Sequence, residues 1–141
     1  GKQPIIYGDG KQQRCFSYID DCLYCLNALA FQDNVVGEVI NIGPDEEPIT
    51  INELAEACAN ETGLNLDPIH HKDRPKEVKL AVCSSDKARE LLGYSTATNM
   101  RQSVKKTAEY IRTRGTKKFQ YHLPLEIIND QTPDTWKKKL I

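Results

Sequence analysis

The stretch Gly37-Glu38-Val39-Ile40-Asn41-Ile42-Gly43 most constrains the fold of this chain. It is short, mostly apolar, bounded by glycines and set between two helical patterns. Apolar residues on both faces suit a buried strand of a parallel sheet. A strand placed between two helices points to an α/β sheet. This is the single stretch here with that character, and one strand cannot make a doubly wound sheet. The missing strands are therefore expected upstream of Gly1.

The neighbouring segments follow from local chemistry. Residues 3–7 and 14–19 are β-type runs around Gly8-Asp9-Gly10-Lys11, and Asp-Gly between such runs predicts a β-hairpin. Asp20-Asp21 suits a helix N-terminus by capping and by charge. Cys22, Cys25, Leu26, Leu29 and Ala30 then recur at helical spacing, predicting a helix over about 20–31. Pro44 to Pro48 is an acidic loop. Thr50-Ile51-Asn52-Glu53 has the pattern of a capping box. Ile51, Leu54, Ala55 and Cys58 continue that helix, and Gly63 is its expected stop. Residues 64–70 read as a strand, with Pro68 marking an edge. Ser84 or Ser85 should cap a short helix that carries Ala88, Leu91 and Leu92 and closes at Gly93. Asn99 opens a longer helix that ends before Gly115, and the tail 116–141 shows no clear period.

Bulk properties exclude several classes of function. With 141 residues the chain is long enough for one domain with a core. Nineteen basic and 20 acidic residues give a net charge of −1, which does not suit a general nucleic-acid binder. No apolar run approaches the roughly 20 residues of a membrane span. The chain opens on Gly1 rather than Met, without a charged-then-apolar leader, so it reads as cut from something larger, or processed. Five cysteines, an odd number without a leader, indicate reduced thiols in the cytoplasm. Cys22 and Cys25 form a C-x-x-C on the apolar face of the first helix, which favours packing over zinc or redox chemistry.

Few residues suggest binding chemistry. Gly10-Lys11 is followed by Gln12 and by a strand, so it is not a phosphate-binding P-loop. No G-x-G-x-x-G dinucleotide fingerprint occurs. Arg14 leaves the turn beside Phe16 and offers a planar fork of donors suited to phosphate oxygens. Arg74 precedes Pro75, which pushes its backbone toward an extended conformation. Two arginines from separate segments could clamp a diphosphate; from pattern alone the plainer reading is a solvated strand residue or surface ion pair for Arg14 and a charged surface loop for Arg74. His70 and His71 are adjacent and face opposite sides of a strand, so structural roles are expected of them. His122 stands alone in the tail, and the lysine pairs at 105–106 and 117–118 read as solvated faces.

Four motifs in order give the residues a family. "PIIYGDGKQQRCFSYIDD", "GEVINIG", "ITINELAEACANETG" and "DRPKEV" with "SSDKARELLGY" resemble the C-terminal portion of the extended short-chain dehydrogenases. These are NAD-dependent nucleotide-sugar epimerases, dehydratases and decarboxylases. "MRQSVKKTAEYIRTR" is similar to the family's closing helix, so the resemblance covers about four-fifths of the chain. It implies an α/β fold, a C-terminal fragment of an extended Rossmann-type enzyme. Residues 1–43 would complete the nucleotide-binding sheet, 44–115 would form the smaller substrate-binding region, and 116–141 would be an extended tail.

The resemblance also implies roles. Arg14 and Arg74 would hold the diphosphate of a nucleotide sugar. Phe16 would lie near the sugar nucleotide, Tyr7 would flank the base, and Ile51 would line the nucleotide pocket. Glu77 stands where the family's R-P-G-D motif has aspartate, with a contact to ribose or to Arg74. Lys76 replaces that motif's glycine, and Ser84 stands where aspartate is common. The NAD fingerprint and the catalytic Tyr-x-x-x-Lys pair belong upstream in the family, and neither is expected within this chain. The chain alone is therefore expected to be inactive and to bind no cofactor, whereas the parent would use NAD. Expected partners are a nucleotide-diphosphate sugar (UDP by preference), the N-terminal part of the same enzyme and, in the parent, a second copy. The competing expectation is a non-catalytic module that docks onto another chain through a tail carrying Trp136.

Overall fold

The computed structural model describes residues 2–117, 120, 124, 125 and 127–140. The expectations placed on His122 and Lys118 lie outside the described residues. Strand β1 (Ile5–Tyr7) is followed by β2 (Gln13–Arg14) and by helix α1 (Ile19–Phe31). A 3-10 turn at Asp33–Val35 leads toward β3 (Ile49–Thr50) and α2 (Ile51–Thr62). Then come β4 (Ile69–His71), β5 (Leu80–Ala81), α3 (Asp86–Leu92), α4 (Met100–Arg114) and a short α5 (Asp134–Lys137).

The strands form two small sheets. β1 pairs in parallel with β4, Tyr7 opposite His71. β2 is the centre of the other sheet, antiparallel to β3 and parallel to β5. The predicted hairpin is thereby corrected: β1 and β2 do not pair with each other. The Gly8–Gly10 turn instead passes the chain from one sheet to the other. A strand bonds wherever backbone partners are offered, and here those partners come from 49–50, 69–71 and 80–81 rather than from across the turn. The second run shortens from 14–19 to Gln13–Arg14, the expected 64–70 strand contracts to Ile69–His71, and β5 was not anticipated.

Residues 37–43 form no strand. Ile40 and Ile42 turn toward the core, but Val39 is 85% exposed. The physical reason is pairing: an apolar run becomes a strand only beside another strand, and the described residues place none there.

The helices keep close to their predicted spans, but not all of their predicted faces are buried: Leu26, Leu29 and Ala30 of α1 and Cys58 of α2 are exposed, Ala57 and Ala59 are buried instead in α2, and α3 buries Ala88 and Leu92 as expected. In α2 the Thr50 hydroxyl accepts from the Glu53 amide (3.1 Å), and Glu53 accepts from the Thr50 amide (2.7 Å). That backbone bond holds the Glu53 carboxyl below its ordinary value. Gly63 ends the helix at φ 69°. Asn99 and Gln102 make a second capping box on α4, which packs against α2.

Two caps differ from expectation. Neither Asp20 nor Asp21 caps α1, whose N-cap is Tyr18. The buried Asp21 carboxylate instead accepts from the Ala97 amide (3.1 Å), the Thr98 amide (2.8 Å) and the Thr98 hydroxyl (3.0 Å). A charged acceptor finds stronger stabilisation among three converging donors than at a solvated helix end. Ser85 occupies the N-cap of α3, but its hydroxyl donates to the Gly43 carbonyl, and Ser84 Oγ accepts from the Asp86 amide (3.2 Å).

The small core joins α1 to α3 through Cys25, Val35, Ala88, Leu92 and Tyr94. Cys25 is fully buried there, and all five cysteines are free thiols. Burial pushes the Cys22 thiol above its ordinary value, so it is a poor nucleophile. No helix among the described residues is long and apolar enough to cross a membrane.

Candidate functional site

The site begins at the turn between β1 and β2. Gly8 and Gly10 both adopt left-handed φ, near 70°. A Cβ on Gly8 would sit 1.9 Å from Asp73 Oδ1, and one on Gly10 would sit 1.9 Å from Asn52 Oδ1. The positive φ favours glycine at both positions, and a Cβ at either would also displace the tip of a neighbouring side chain. The turn is tied down on several sides. Asp9 Oδ1 accepts from the Lys11 amide (3.0 Å), Asn52 Nδ2 donates to the Asp9 carbonyl (2.9 Å), and Gln12 Nε2 donates to the Tyr7 carbonyl (3.1 Å). Lys11 Nζ lies 3.7 Å from Asp9 at the surface, in keeping with the rejection of a P-loop.

From this turn β2 delivers Arg14, and the loop between β4 and β5 delivers Arg74 and Glu77. Arg14 Nη2 meets Glu77 Oε1 at 2.8 Å, and Arg74 Nη2 meets Glu77 Oε2 at 2.7 Å. One carboxylate thus bridges two guanidiniums and leaves one net positive charge. Arg14 Nη1 also donates to the Gln13 carbonyl (2.7 Å). Each guanidinium has five donors, so the bridge leaves others uncommitted. The Arg74 guanidinium carbon lies 5.2 Å from the Tyr7 ring centre, a cation–π contact. His71 tilts against the same ring at 5.7 Å. The His70 ring nitrogen Nδ1 lies 2.8 Å from the Gly8 carbonyl; a carbonyl only accepts, so Nδ1 carries the proton.

Four of the six sequence-derived residues, Tyr7, Arg14, Arg74 and Glu77, therefore come together. Arg74 and Glu77 border a cavity of about 620 Å³ together with Lys11, Lys76, Lys79, Asp9 and Asp73. Four cations face three carboxylates there, so the cavity favours an anion. Lys76 holds φ at 59°, the conformation natural to the glycine it replaces. Phe16 and Ile51 border neither of the cavities that Arg74 lines. Phe16 borders an apolar cavity of about 420 Å³ between α2 and α4, with Leu54, Met100, Val104 and Ile111. Ile51 starts α2, where its amide donates to the Gln12 carbonyl (3.1 Å).

Three features escaped the sequence reading. The spacing Tyr-x-x-x-Lys does occur once, at Tyr7 and Lys11. It spans a glycine turn rather than a helix; Lys11 pairs with Asp9 while the Tyr7 hydroxyl bonds Thr135. The two side chains thus do not act as a pair. The contact to Thr135 bridges 128 positions and has no sequence signal. A second charged cluster, Asp45 and Glu46 on Arg89, ties the acidic loop to α3. The Arg89 guanidinium, helped by the Ser85 amide, lowers the Asp45 carboxyl to about 2. Arg89 also reaches Asp86 within α3 (3.1 Å), and the cluster borders neither of the cavities beside Arg74.

The chain lacks a glycine fingerprint before a helix N-terminus, so no step through NAD can be assigned to its side chains. Among the described residues no cluster of His, Cys, Asp and Glu could hold a metal ion.

The comparisons with known proteins agree with one family. The family model described as GDP-mannose 4,6 dehydratase matches residues 1–107. The UDP-N-acetyl-alpha-D-glucosaminuronate decarboxylase of Bacillus cytotoxicus is 30% identical, over 79% of this chain and 36% of its own length. The GDP-mannose 3,5-epimerase of Arabidopsis thaliana is 31% identical, over 76% of this chain and 27% of its own. The solved structure of UDP-glucuronic acid 4-epimerase from Bacillus cereus, in complex with UDP-glucuronic acid and NAD, superposes with a TM-score of 0.72 at 32% identity. That match covers 81% of this chain and 36% of the other. The chain thus spans about a third of the length of its relatives. With an α/β architecture and this likeness, the chain belongs to the extended short-chain dehydrogenases, the family of NAD-dependent nucleotide-sugar epimerases and dehydratases.

Proposed function

We propose that this chain is the substrate-holding part of a nucleotide-sugar epimerase or dehydratase. Arg14 and Arg74 clamp the diphosphate, and the observation that carries this reading is the Glu77 bridge between them. A shared carboxylate sets both guanidiniums at one place before substrate arrives, which lowers the cost of ordering them on binding. Their remaining donors are free to meet phosphate oxygens, and the cationic lining of the adjoining cavity adds attraction. Glu77 is also within the loop that would receive the ribose. Tyr7 flanks the base, and Phe16 and Ile51 line the sugar-nucleotide side. UDP sugars are the preferred class.

The chemistry belongs to the rest of the enzyme. NAD supplies hydride transfer when bound there, and this chain alone performs none. Residues 1–43 join that part to complete its sheet, 44–115 form the substrate region, and 116–141 follow as a tail. The apolar residues that α1 and Val39 leave exposed support such a junction. A cytoplasmic homodimer fits free thiols and the family. The exposed Trp136, Ile127 and Ile128 favour a second reading, in which the tail docks onto another chain.

The test is calorimetric titration of UDP-glucose into the full-length protein. Charge-assisted hydrogen bonds contribute roughly 1.5–3 kcal/mol each, so Arg14→Ala and Arg74→Ala should each weaken binding by about 10- to 100-fold. Unchanged affinity in both variants would overturn the clamp.

A further inference from the structure

The C-terminal segment lies beyond residues 1–107, the part matched by the family model, yet it folds against the candidate site. Asn129 begins a tight turn: its amide donates to Thr132 Oγ1 (3.0 Å), and its side chain accepts from the Gln131 amide (2.8 Å). Helix α5 follows, braced by the Lys138–Asp134 ion pair (3.0 Å). This geometry places Thr135, which is buried, on the hydroxyl of Tyr7.

The contact is reciprocal. The Tyr7 hydroxyl donates to Thr135 Oγ1 (3.0 Å) and accepts from the Thr135 amide (2.9 Å). One residue of the tail thus engages the hydroxyl both as donor and as acceptor. With its tip held, the Tyr7 ring has a set plane, and Arg74 rests on that ring. Arg74 in turn borders two cavities: the cationic one beside Glu77, and a smaller one of about 170 Å³ closed by Asp130, Thr132 and Asp134 of the tail. A chain of contacts therefore runs from Thr135 through Tyr7 and Arg74 to Glu77 and Arg14.

We propose that Thr135 is a positioning residue of the nucleotide site, acting through the Tyr7 ring to aim the Arg74 guanidinium at the diphosphate. The inference rests on the clamp reading above. It makes the tail a working wall of the binding site, with a nucleoside diphosphate sugar as the ligand it serves.

UDP-glucose titrated into the full-length protein tests it. Tyr7→Phe removes the hydroxyl, and Thr135→Val removes its acceptor. Each should weaken binding about fivefold, the worth of one neutral hydrogen bond. Thr135→Ser should bind as the wild type does. In an Arg74→Ala background, Thr135→Val should have no further effect, because the residue it positions is gone. A purely structural tail would lower thermal stability equally in both backgrounds and leave affinity alone. Wild-type affinity in both Thr135→Val and Tyr7→Phe, with Arg74→Ala still impaired, overturns this inference and spares the clamp. Wild-type affinity in Arg74→Ala and Arg14→Ala, or no binding by the wild type, overturns both.

Discussion

Helices α1 and α2 are close in length but differ in how they are specified. α2 is bounded by its own neighbours, with the Thr50–Glu53 box at one end and Gly63 at the other. It lays one face on α4. α1 lacks a side-chain cap, and its first-turn carboxylate, Asp21, serves the backbone at Ala97 and Thr98. One face carries the fully buried Cys25; other faces leave Ile19, Leu23, Leu26 and Phe31 exposed. A helix that is apolar on more than one side needs more than one covering surface. The lesson is that α2 is largely a local object, whereas α1 is defined by what lies far from it in sequence.

The sharpest way to break this contrast is Asp21→Ala. It leaves two amides and a buried hydroxyl without their charged acceptor, and should cost about 3 kcal/mol in urea denaturation. A loss below 1 kcal/mol would mean that α1 is held by its Cys25 face alone. Next comes Thr50→Ala, which removes the side-chain half of the capping box. About 1 kcal/mol should be lost, with the midpoint of unfolding shifted and its slope unchanged. A much larger loss would show that α2 depends on its cap for more than its own end. The smallest effect is expected from Leu26→Gln on the outer side of α1. Its exposure predicts a change within about 0.5 kcal/mol for this chain by itself. A large destabilisation would mean that this face is already covered within the chain.

The same contrast explains how much could be read in advance. Both ends of α2 and the start of α4 were legible, because a cap and its acceptor lie three residues apart. So was the need for glycine in the Gly8–Gly10 turn, although its use was not. Asp-Gly signals a reversal, and the chain does turn; which strand then pairs with β2 depends on segments some 35 and 65 residues onward, at Ile49 and Ala81. The 37–43 run was legible as apolar and not as unpaired, since pairing is a property of neighbours.

For the candidate site the division is similar. Arginines in two separate segments, a glutamate three positions after one of them, and an aromatic before a glycine turn were all visible as residue types suited to a charged ligand. Their order along the chain, set against a family pattern, sufficed to nominate Tyr7, Arg14, Arg74 and Glu77 together. Tertiary structure alone decided that one carboxylate spans both arginines, that Phe16 lines an apolar cavity between α2 and α4, and that Thr135 closes on Tyr7 across 128 positions. Backbone propensity and capping act over one helical turn and so can be read from a string of letters. Charge bridges and packed rings depend on distances of a few ångströms, which the chain sets only after it has folded.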